Sequence, residues 1–150
     1  MENLQPFVIE LELHDTKSVV DEHINGSLSV IWRDYDGIVS PPKMIYISSV
    51  NPEEIKGPHI HTKRNSYFSC IHGKVVFIIK KPSGEYLEIE SNSKKPNMIF
   101  VPKDFPSAHV NISSEISRVI ALADIAWRPD DKEMINTDFA DYDWKKWLKI

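Results

Sequence analysis

Residues 56–73 read K-G-P-H-I-H-T-K-R-N-S-Y-F-S-C-I-H-G, and this stretch predicts the architecture of the whole chain. It places His59 and His61 two positions apart, so on a β-strand both side chains would point to the same side. The residues that follow are mostly apolar or aromatic: Tyr67, Phe68, Cys70 and Ile71. They indicate that the histidine side faces into a closed β-structure. Neutral imidazole transfers protons near pH 7 and is also the commonest metal ligand, so the pair fits either chemistry.

The remainder of the chain is dominated by strand patterns. Residues 75–79 form an apolar run of strand length, and Pro82-Ser83-Gly84 predicts a turn into the alternating segment 86–90. Further strand patterns lie at 44–47, 97–101 and 118–125. Roughly eight to ten short strands separated by turn residues predict an all-β sandwich or small barrel.

Two features near the N-terminus carry more specific predictions. Residues 7–13 place apolar side chains at every second position, which predicts a strand with one wet face. Such a strand is suited to joining a neighbour's sheet, and the alternative is that it pairs within its own chain. Asn25-Gly26 predicts a tight hairpin turn between strands at 18–24 and 27–33.

The C-terminal segment 141–148 is predicted to be a short helix. Acidic residues come first, lysines follow, and Trp144, Trp147 and Leu148 fall on one helical stripe. We expect this stripe to pack against the body of the protein.

Length and composition narrow the class of protein. With 150 residues, 41% of them hydrophobic, and a net charge of −4, the sequence fits a single domain over residues 1–150 and not a basic nucleic-acid binder. The start lacks a basic, apolar leader and no run approaches the roughly 18 apolar residues of a membrane span, so we expect no membrane association. A single cysteine, Cys70, excludes an intrachain disulfide framework. We therefore expect a cytoplasmic protein.

The histidine stretch resembles a known motif. His59-Ile60-His61, followed by Ser66 and Gly73, has the spacing of the first cupin motif, in which a glutamate stands at the position of Ser66. Residues 101–109 resemble the second motif, Pro-x-Gly-x-x-His, with Asp104 in place of glycine and His109 two places late. The resemblance implies the cupin jelly roll, an all-β fold.

Within the cupins, most of the chain resembles the RmlC-like dTDP-4-dehydrorhamnose 3,5-epimerase superfamily and its sugar 3,4-ketoisomerase relatives. The matching segments are residues 26–33, Lys56-Gly57-Pro58-His59, residues 99–102 before His109, and residues 129–133 before a Trp-ended tail. The resemblance implies an isomerase that acts on a dTDP-linked 4-keto-6-deoxyhexose and needs neither metal nor other cofactor.

Roles for individual residues follow from this resemblance. The families' histidine after Arg-Gly removes a proton beside the sugar's 4-keto group, which assigns the base to His59. His61 would donate to the enolate oxygen, orient His59 or shuttle the proton, and Tyr46 completes the expected catalytic set. The expected substrate-binding residues are Lys56, Tyr67, Lys63, Arg64, His109 and Trp127.

Two departures from the family pattern leave the reaction open. Trp127 stands where the epimerases carry a tyrosine that acts as the catalytic acid. An indole cannot replace a phenol as proton donor to carbon. Ser66 occupies the position of the epimerase lysine as well as that of the cupin glutamate. Epimerisation at C3 or C5 and a 3,4-keto shift therefore both remain open.

Two other function classes are compatible with a cupin fold. A metal-dependent cupin enzyme would want three histidines and a carboxylate, whereas Ser66 is not a carboxylate and His109 is displaced. A non-catalytic sugar-binding cupin is the other alternative. We also expect a homodimer, because a small jelly roll leaves sheet edges to be paired and the related epimerases dimerise.

Overall fold

The computed structural model describes residues 4–34, 36–37 and 40–149, and its regular structure is almost entirely β. The strands are β1 Phe7–Glu10, β2 Leu13–Lys17, β3 Ile24–Ser29, β4 Met44–Val50, β5 Ile55–His61, β6 Ser66–His72, β7 Lys74–Lys80, β8 Tyr86–Asn92, β9 Asn97–Val101, β10 Ser107–Asn111, β11 Ser117–Ala123 and β12 Met134–Asn136. Within these described residues, no helix has the length and apolar character that a membrane crossing requires.

Two five-stranded antiparallel sheets form the body of the protein. Their orders are β1-β9-β6-β11-β4 and β12-β5-β10-β7-β8, and β2 and β3 pair as a separate ribbon. One buried cluster joins the sheets, because Val50, Cys70 and Val119 of the first pack with Val75, Phe77 and Ile79 of the second. The sheets therefore face each other, as the strand count predicted.

The predicted strands of the central chain are confirmed. The apolar run 75–79 lies in β7, and all five of its side chains are buried. The turn at residues 82–84 is closed by a hydrogen bond from the Gly84 amide to the Lys81 carbonyl. The histidine stretch forms β5 and β6, with His59 and His61 both on β5.

The register around β5 brings distant segments beside the histidines. On one side β10 places Ser107 opposite His59, and on the other side β12 places Asn136 opposite His59 and Met134 opposite His61. Strand β12 contains only three residues, yet it covers the histidine end of β5.

The N-terminal segment departs from the expectation of one strand lent to a neighbour. It divides into β1 and β2, and β1 pairs with β9 of its own chain, Phe7 lying opposite Phe100. The rings of Phe7 and Phe100 lie 4.7 Å apart, so burial of this aromatic pair favours the internal pairing.

The hairpin turn at Asn25-Gly26 was predicted wrongly. Both residues lie inside β3, and the chain reverses at residues 18–23, where the Ser18 amide bonds to the His23 carbonyl and Glu22 has φ 62°. Thr16 of β2 stands opposite Gly26, and the register shifts between Thr16 and Lys17. An irregularity in the ribbon thus accommodates this flexible dipeptide within the strand.

The predicted C-terminal helix is only a 3₁₀ turn, Trp144–Lys146. Asp143 caps it by accepting a hydrogen bond from the Lys145 amide, and Trp147 ends it by donating from its amide to the Trp144 carbonyl. The predicted packing of Trp144, Trp147 and Leu148 is confirmed, since they lie against a buried cluster of the second sheet. Aromatic packing on that sheet, and not helix propensity, holds this segment.

Candidate active site

A cavity of about 240 Å³ opens between the two sheets at the histidine end of β5. Its polar lining comes from both sheets: Tyr46 and Ser48 of β4, Lys56, His59 and His61 of β5, and His109 of β10. Phe68, Phe77 and Val119 supply much of its apolar wall. The structure thus brings five of the expected site residues to one cavity: His59, His61, Tyr46, Lys56 and His109.

Both histidines of β5 are held through the same ring atom. Nδ1 of His59 lies 2.9 Å from Oδ1 of Asn136, and Nδ1 of His61 lies 2.8 Å from Oε1 of Glu133. Amide and carboxylate oxygens only accept, so each imidazole donates Nδ1–H. Nη2 of Arg64 also lies 3.2 Å from Nδ1 of His61, but both groups are closer to Oε1 of Glu133, at 2.8 Å, so both donate to the carboxylate. Each Nε2 is then left as a lone-pair acceptor available to a molecule in the cavity.

Arg64 also lies at the cavity wall, but its guanidinium is engaged with protein. Its Nη2 donates to Oε1 of Glu133 at 2.8 Å, and both side chains are buried. Burial opposes ionisation of Glu133, but hydrogen bonds from His61 and Arg64 outweigh it and leave the pKa of Glu133 lowered. The pair is therefore an ion pair at neutral pH.

His61 and Tyr46 have shifted proton affinities. Burial is the main cause of the lowered pKa of His61, and the Arg64 charge lowers it further. Burial likewise raises the pKa of Tyr46, whose ring lies 5.9 Å from the guanidinium carbon of Arg64. At neutral pH the site therefore contains an uncharged imidazole and an intact phenol, an acceptor and a donor.

His109 and Lys56 complete the polar lining. Burial, together with the charge of Lys56 and the proximity of His59, lowers the pKa of His109 to about 4, so this imidazole is neutral. Its ring lies 4.9 Å from that of Phe77, and its buried Nε2 has no protein hydrogen-bond partner within the described part of the chain. Lys56 donates from Nζ to Ser48 Oγ at 2.6 Å, which holds an ammonium group at the cavity.

The backbone at Gly57 allows β5 and β10 to approach closely beside the site. Gly57 has φ 90°, and a Cβ there would lie 2.8 Å from the Ser107 carbonyl oxygen. Only glycine meets both conditions, which explains the glycine between Lys56 and His59.

Two residues expected at the site lie elsewhere. Tyr67 is 2% exposed and packs with Met98, Phe100 and Leu122 on the far side of the first sheet, because it alternates with Phe68, which does line the cavity. Lys63 is exposed on the turn after β5 and does not line the cavity. Tyr67 lies outside the cavity because side chains alternate along β6, and Lys63 lies outside it because the chain turns after β5.

Trp127 lies beside the cavity and not in it. With Met44, Tyr46 and Arg64 it forms a shallow depression that shares Tyr46 and Arg64 with the cavity wall. The side chain is 57% exposed, and its backbone amide contacts the Met44 sulfur at 3.3 Å. An exposed indole at the mouth of a cavity is a suitable surface for a flat ring to stack on.

Sequence reasoning gave no role to Glu133 or Asn136. Residues 129–133 were recognised as family-like, but no pattern in the sequence shows that the following three-residue strand returns to β5. The signal is the spacing itself, since Glu133 directly precedes β12, Asn136 ends it, and the two meet histidines two positions apart on β5.

The position of Ser66 bears on metal binding. Ser66 is buried at the point where the first cupin motif has its glutamate, and its hydroxyl has no partner among the described residues. No three His, Cys, Asp or Glu side chains in the described ranges are grouped as metal ligands.

Comparisons with known proteins agree with this architecture. The family model described as "FdtA: WxcM-like, C-terminal" matches residues 9–144. No curated protein matched the sequence. Among solved structures, a dTDP sugar isomerase from Desulfovibrio desulfuricans shares 16% identity with a TM-score of 0.80, covering 93% of this chain and 90% of that one.

Two further solved structures are similar in fold. The dTDP-6-deoxy-D-glucose-3,5-epimerase from Legionella pneumophila, in complex with dTDP-4-keto-L-rhamnose, has 13% identity and a TM-score of 0.76, covering 91% of this chain and 74% of that one. The sugar 3,4-ketoisomerase from Thermoanaerobacterium thermosaccharolyticum, in complex with TDP, has 20% identity and a TM-score of 0.70, covering 91% and 90%. The expected RmlC-like cupin fold is thereby confirmed, and because the family model spans most of its length, the chain belongs to the FdtA, WxcM-like C-terminal family.

Proposed function

We propose that the protein is a metal-independent isomerase of a dTDP-linked 4-keto-6-deoxyhexose, acting by proton removal beside the ketone. The observation that carries the proposal is the pair His59 and His61, both donating from Nδ1 to the protein and both offering Nε2 to one cavity. The structural likeness to sugar-nucleotide epimerases and ketoisomerases supports the substrate class.

The chemistry requires only groups of the kind that line this cavity. A carbon next to a ketone is acidified because the resulting negative charge moves onto the carbonyl oxygen. A positioned base and a donor near that oxygen then suffice. His59 is the base in this proposal, and Tyr46 and Lys56 are the donors.

Electrostatics favours the enolate. Lys56 brings a positive charge to the cavity, and the imidazoles of His61 and His109 are neutral there. The carboxylate nearest the site, Glu133, is neutralised by Arg64. A developing negative charge on a sugar oxygen would therefore meet donors without facing an unpaired anion.

A 3,4-keto shift is the reaction we favour. The electron pair of the C3–H bond forms a C3=C4 double bond, the proton passes to Nε2 of His59, and O4 takes a proton from Tyr46. Loss of the O3 proton then rebuilds the carbonyl at C3, and His59 returns its proton to C4. Two acceptors on one strand face suit this sequence, since C3 and O3 each lose a proton.

Epimerisation is the second candidate, and one observation favours it. Reprotonation of C3 with inverted configuration needs a donor on the other side of the ring from the base. Tyr46 belongs to the first sheet and His59 to the second, so the two line the cavity from different sheets. In this reading Tyr46 takes the role that Trp127 cannot fill.

The size of the cavity indicates how a nucleotide sugar would lie. A volume of about 240 Å³ is below the roughly 300–1,000 Å³ of pockets that enclose drug-sized ligands. The cavity is therefore assigned to the hexose alone. The nucleobase of the dTDP group stacks on Trp127 in the adjoining depression.

Product analysis tests this proposal. The protein is incubated with dTDP-4-keto-6-deoxyglucose, and the sugar is followed by carbon NMR. Movement of the carbonyl from C4 to C3 supports the keto shift, and retention of the C4 carbonyl with inverted C3 or C5 supports epimerisation. Unchanged substrate with every nucleotide-linked keto sugar tried would contradict both.

We also propose that the protein is a cytoplasmic homodimer. β1 pairs within its own chain, and exposed apolar side chains lie instead on the edge strand β4 and on the β2–β3 ribbon: Ile45, Ile47, Leu13 and Leu28. Exposed apolar side chains on a sheet edge are suited to contacts between proteins. Light scattering at micromolar concentration should give about twice the 17.3 kDa chain mass, and a value near the chain mass would contradict the dimer.

A further inference from the structure

Glu133 is the most deeply placed charged group near the cavity. It is 3% exposed, and its Oε1 atom lies 2.8 Å from both Nδ1 of His61 and Nη2 of Arg64. Its backbone carbonyl accepts from the amide and the hydroxyl of Thr62, at 2.8 and 3.0 Å. The carboxylate is thus fixed against the turn that links His61 to Arg64.

This arrangement differs from a simple histidine–carboxylate pair. A carboxylate alone would favour the imidazolium, because opposite charges in a buried site attract strongly. Here Arg64 shares the same carboxylate oxygen, so protonation of His61 would place two cations and one anion in a buried cluster. The cluster therefore holds the ring through Nδ1–H and leaves Nε2 unprotonated in the resting protein.

The contrast with His59 shows that anchoring by a charged pair is specific to His61. His59 donates to the neutral amide of Asn136, and no charge is added at its Nδ1 side. The groups around His61 are Glu133 and Arg64, its strand neighbour His59, and Tyr46, whose ring lies against Arg64; Lys56 and His109 line the same cavity. Arg64 and Glu133 are the charged pair in direct contact with it.

We propose that Glu133 and Arg64 are positioning residues that keep His61 as the neutral Nδ1–H tautomer, so that its Nε2 accepts a proton from a substrate hydroxyl. This excludes His61 as the resting donor to the enolate oxygen. In the keto shift the O3 proton passes to Nε2 of His61, Tyr46 gives its proton to O4, and His61 then returns a proton to Tyr46. The catalytic step rests on the proposed function, whereas the tautomer does not.

The wild-type protein provides the first test, with no substrate present. The full chain is labelled with ¹⁵N-histidine, and long-range ¹H–¹⁵N correlations are recorded between pH 5.5 and 8.5, with His61 assigned by its loss in His61→Gln. We expect a protonated Nδ1 and an unprotonated Nε2 at pH 7. An Nε2–H tautomer, or an imidazolium at pH 7, would overturn the proposal.

Two single variants give shifts of opposite sign. Arg64→Met removes the competing cation and should raise the pKa of His61, whereas Glu133→Gln keeps an acceptor, removes the anion and should lower it. A merely structural role would move both in the same direction or in neither, which is the result that would contradict us. Each single variant leaves one buried charge without its partner, which destabilises the protein. The Arg64→Met/Glu133→Gln double variant removes both charges and is therefore included. In the double variant the pKa of His61 should lie between the values found in the two single variants. If one single variant does not fold, the double variant should have a His61 pKa near that of the wild-type protein.

Activity separates this inference from the proposed function. If nucleotide sugars are turned over, Glu133→Gln should lower kcat by about tenfold or more with KM little changed, since proton transfer and not binding is affected. If they are not turned over but the tautomer and opposite shifts are found, the proposed function fails and the positioning role stands.

Discussion

Oδ1 of Asn136 lies 2.9 Å from Nδ1 of His59, directly across the ladder between β12 and β5. This contact fixes the tautomer and the ring orientation of the proposed base from a strand of only three residues. The site therefore depends on residues far along the chain from the histidine stretch.

Replacing Asn136 with leucine should impair turnover without unfolding the protein. The leucine cannot accept from Nδ1–H, so the imidazole of His59 would be free to rotate and change tautomer. Loss of the partner that orients a metal-bound histidine costs about ten- to a hundredfold, and we expect a fall of similar size here. Steady-state kinetics should show this fall in kcat.

Thr137→Val is the matched control for Asn136. Thr137 is the next residue, it is exposed, and it contacts β5 through its backbone amide, which bonds to the Pro58 carbonyl. Equal activity of the two variants would show that the His59–Asn136 contact has no role.

Gly57→Ala should disturb the site through the backbone. Any L-residue there pays about 1–2 kcal/mol for a left-handed conformation. In addition its Cβ would lie 2.8 Å from the Ser107 carbonyl oxygen, which forces β5 away from β10 beside His59. We expect lower activity and a lower unfolding free energy in urea titrations.

Gly84→Ala separates the two causes. Gly84 has φ 92°, but a Cβ there meets nothing within 4 Å. Gly57→Ala should therefore be the more destabilising by roughly 1–3 kcal/mol, the usual cost of overpacking. Equal destabilisation by both would contradict a close approach of β5 and β10.

His109 predicts an acid-sensitive contribution to stability. The folded pKa of about 4 lies below the ordinary histidine value near 6.5, so between these values the unfolded chain binds more protons. Stability contributed by neutral His109 is complete above about pH 6.5 and declines as the pH falls towards 4, by on the order of 3 kcal/mol. Urea unfolding at pH 7, 5.5 and 4.5 measures this decline.

A His109→Gln variant isolates the effect of that residue. Protonation of carboxylates also lowers the stability of the protein in acid. The informative quantity is therefore the difference between wild type and variant in how steeply the unfolding free energy changes with pH. The variant should show the shallower slope between pH 6.5 and 4.5. Parallel slopes would mean that His109 is not buried in its neutral form.

Much of the fold could be predicted from local patterns. The apolar run of β7 and the two-residue period of β5 are short-range patterns, which the sequence displays directly. The turn predicted at Asn25-Gly26 was wrong because pairing of β3 with β2 outweighs the turn preference of this dipeptide. A register shift between the two strands lets the glycine remain inside β3. The helix predicted at residues 141–148 was wrong because the same spacing of apolar residues also suits a 3₁₀ turn whose aromatic side chains pack on a sheet.

The site was predictable where it lies on one strand and not where it depends on distant pairing. His59 and His61 follow from their spacing, and Tyr67 was misplaced because the phase of β6 relative to the cavity is set by pairing with β9 and β11. Glu133 and Asn136 reach the histidines only through the register of β12. No local pattern specifies that register.

Solvent isotope exchange tests the central claim most directly. Wild-type protein and His59→Gln are incubated with dTDP-4-keto-6-deoxyglucose in deuterated water, with His72→Gln as the control because His72 is exposed and pairs with Glu115 at the surface. We predict deuterium at the carbon next to the ketone for wild type and His72→Gln, and exchange slower by about 10²–10⁴-fold for His59→Gln. Absence of deuterium at C3, C4 and C5 with folded wild-type protein, or undiminished exchange in His59→Gln, would contradict the account.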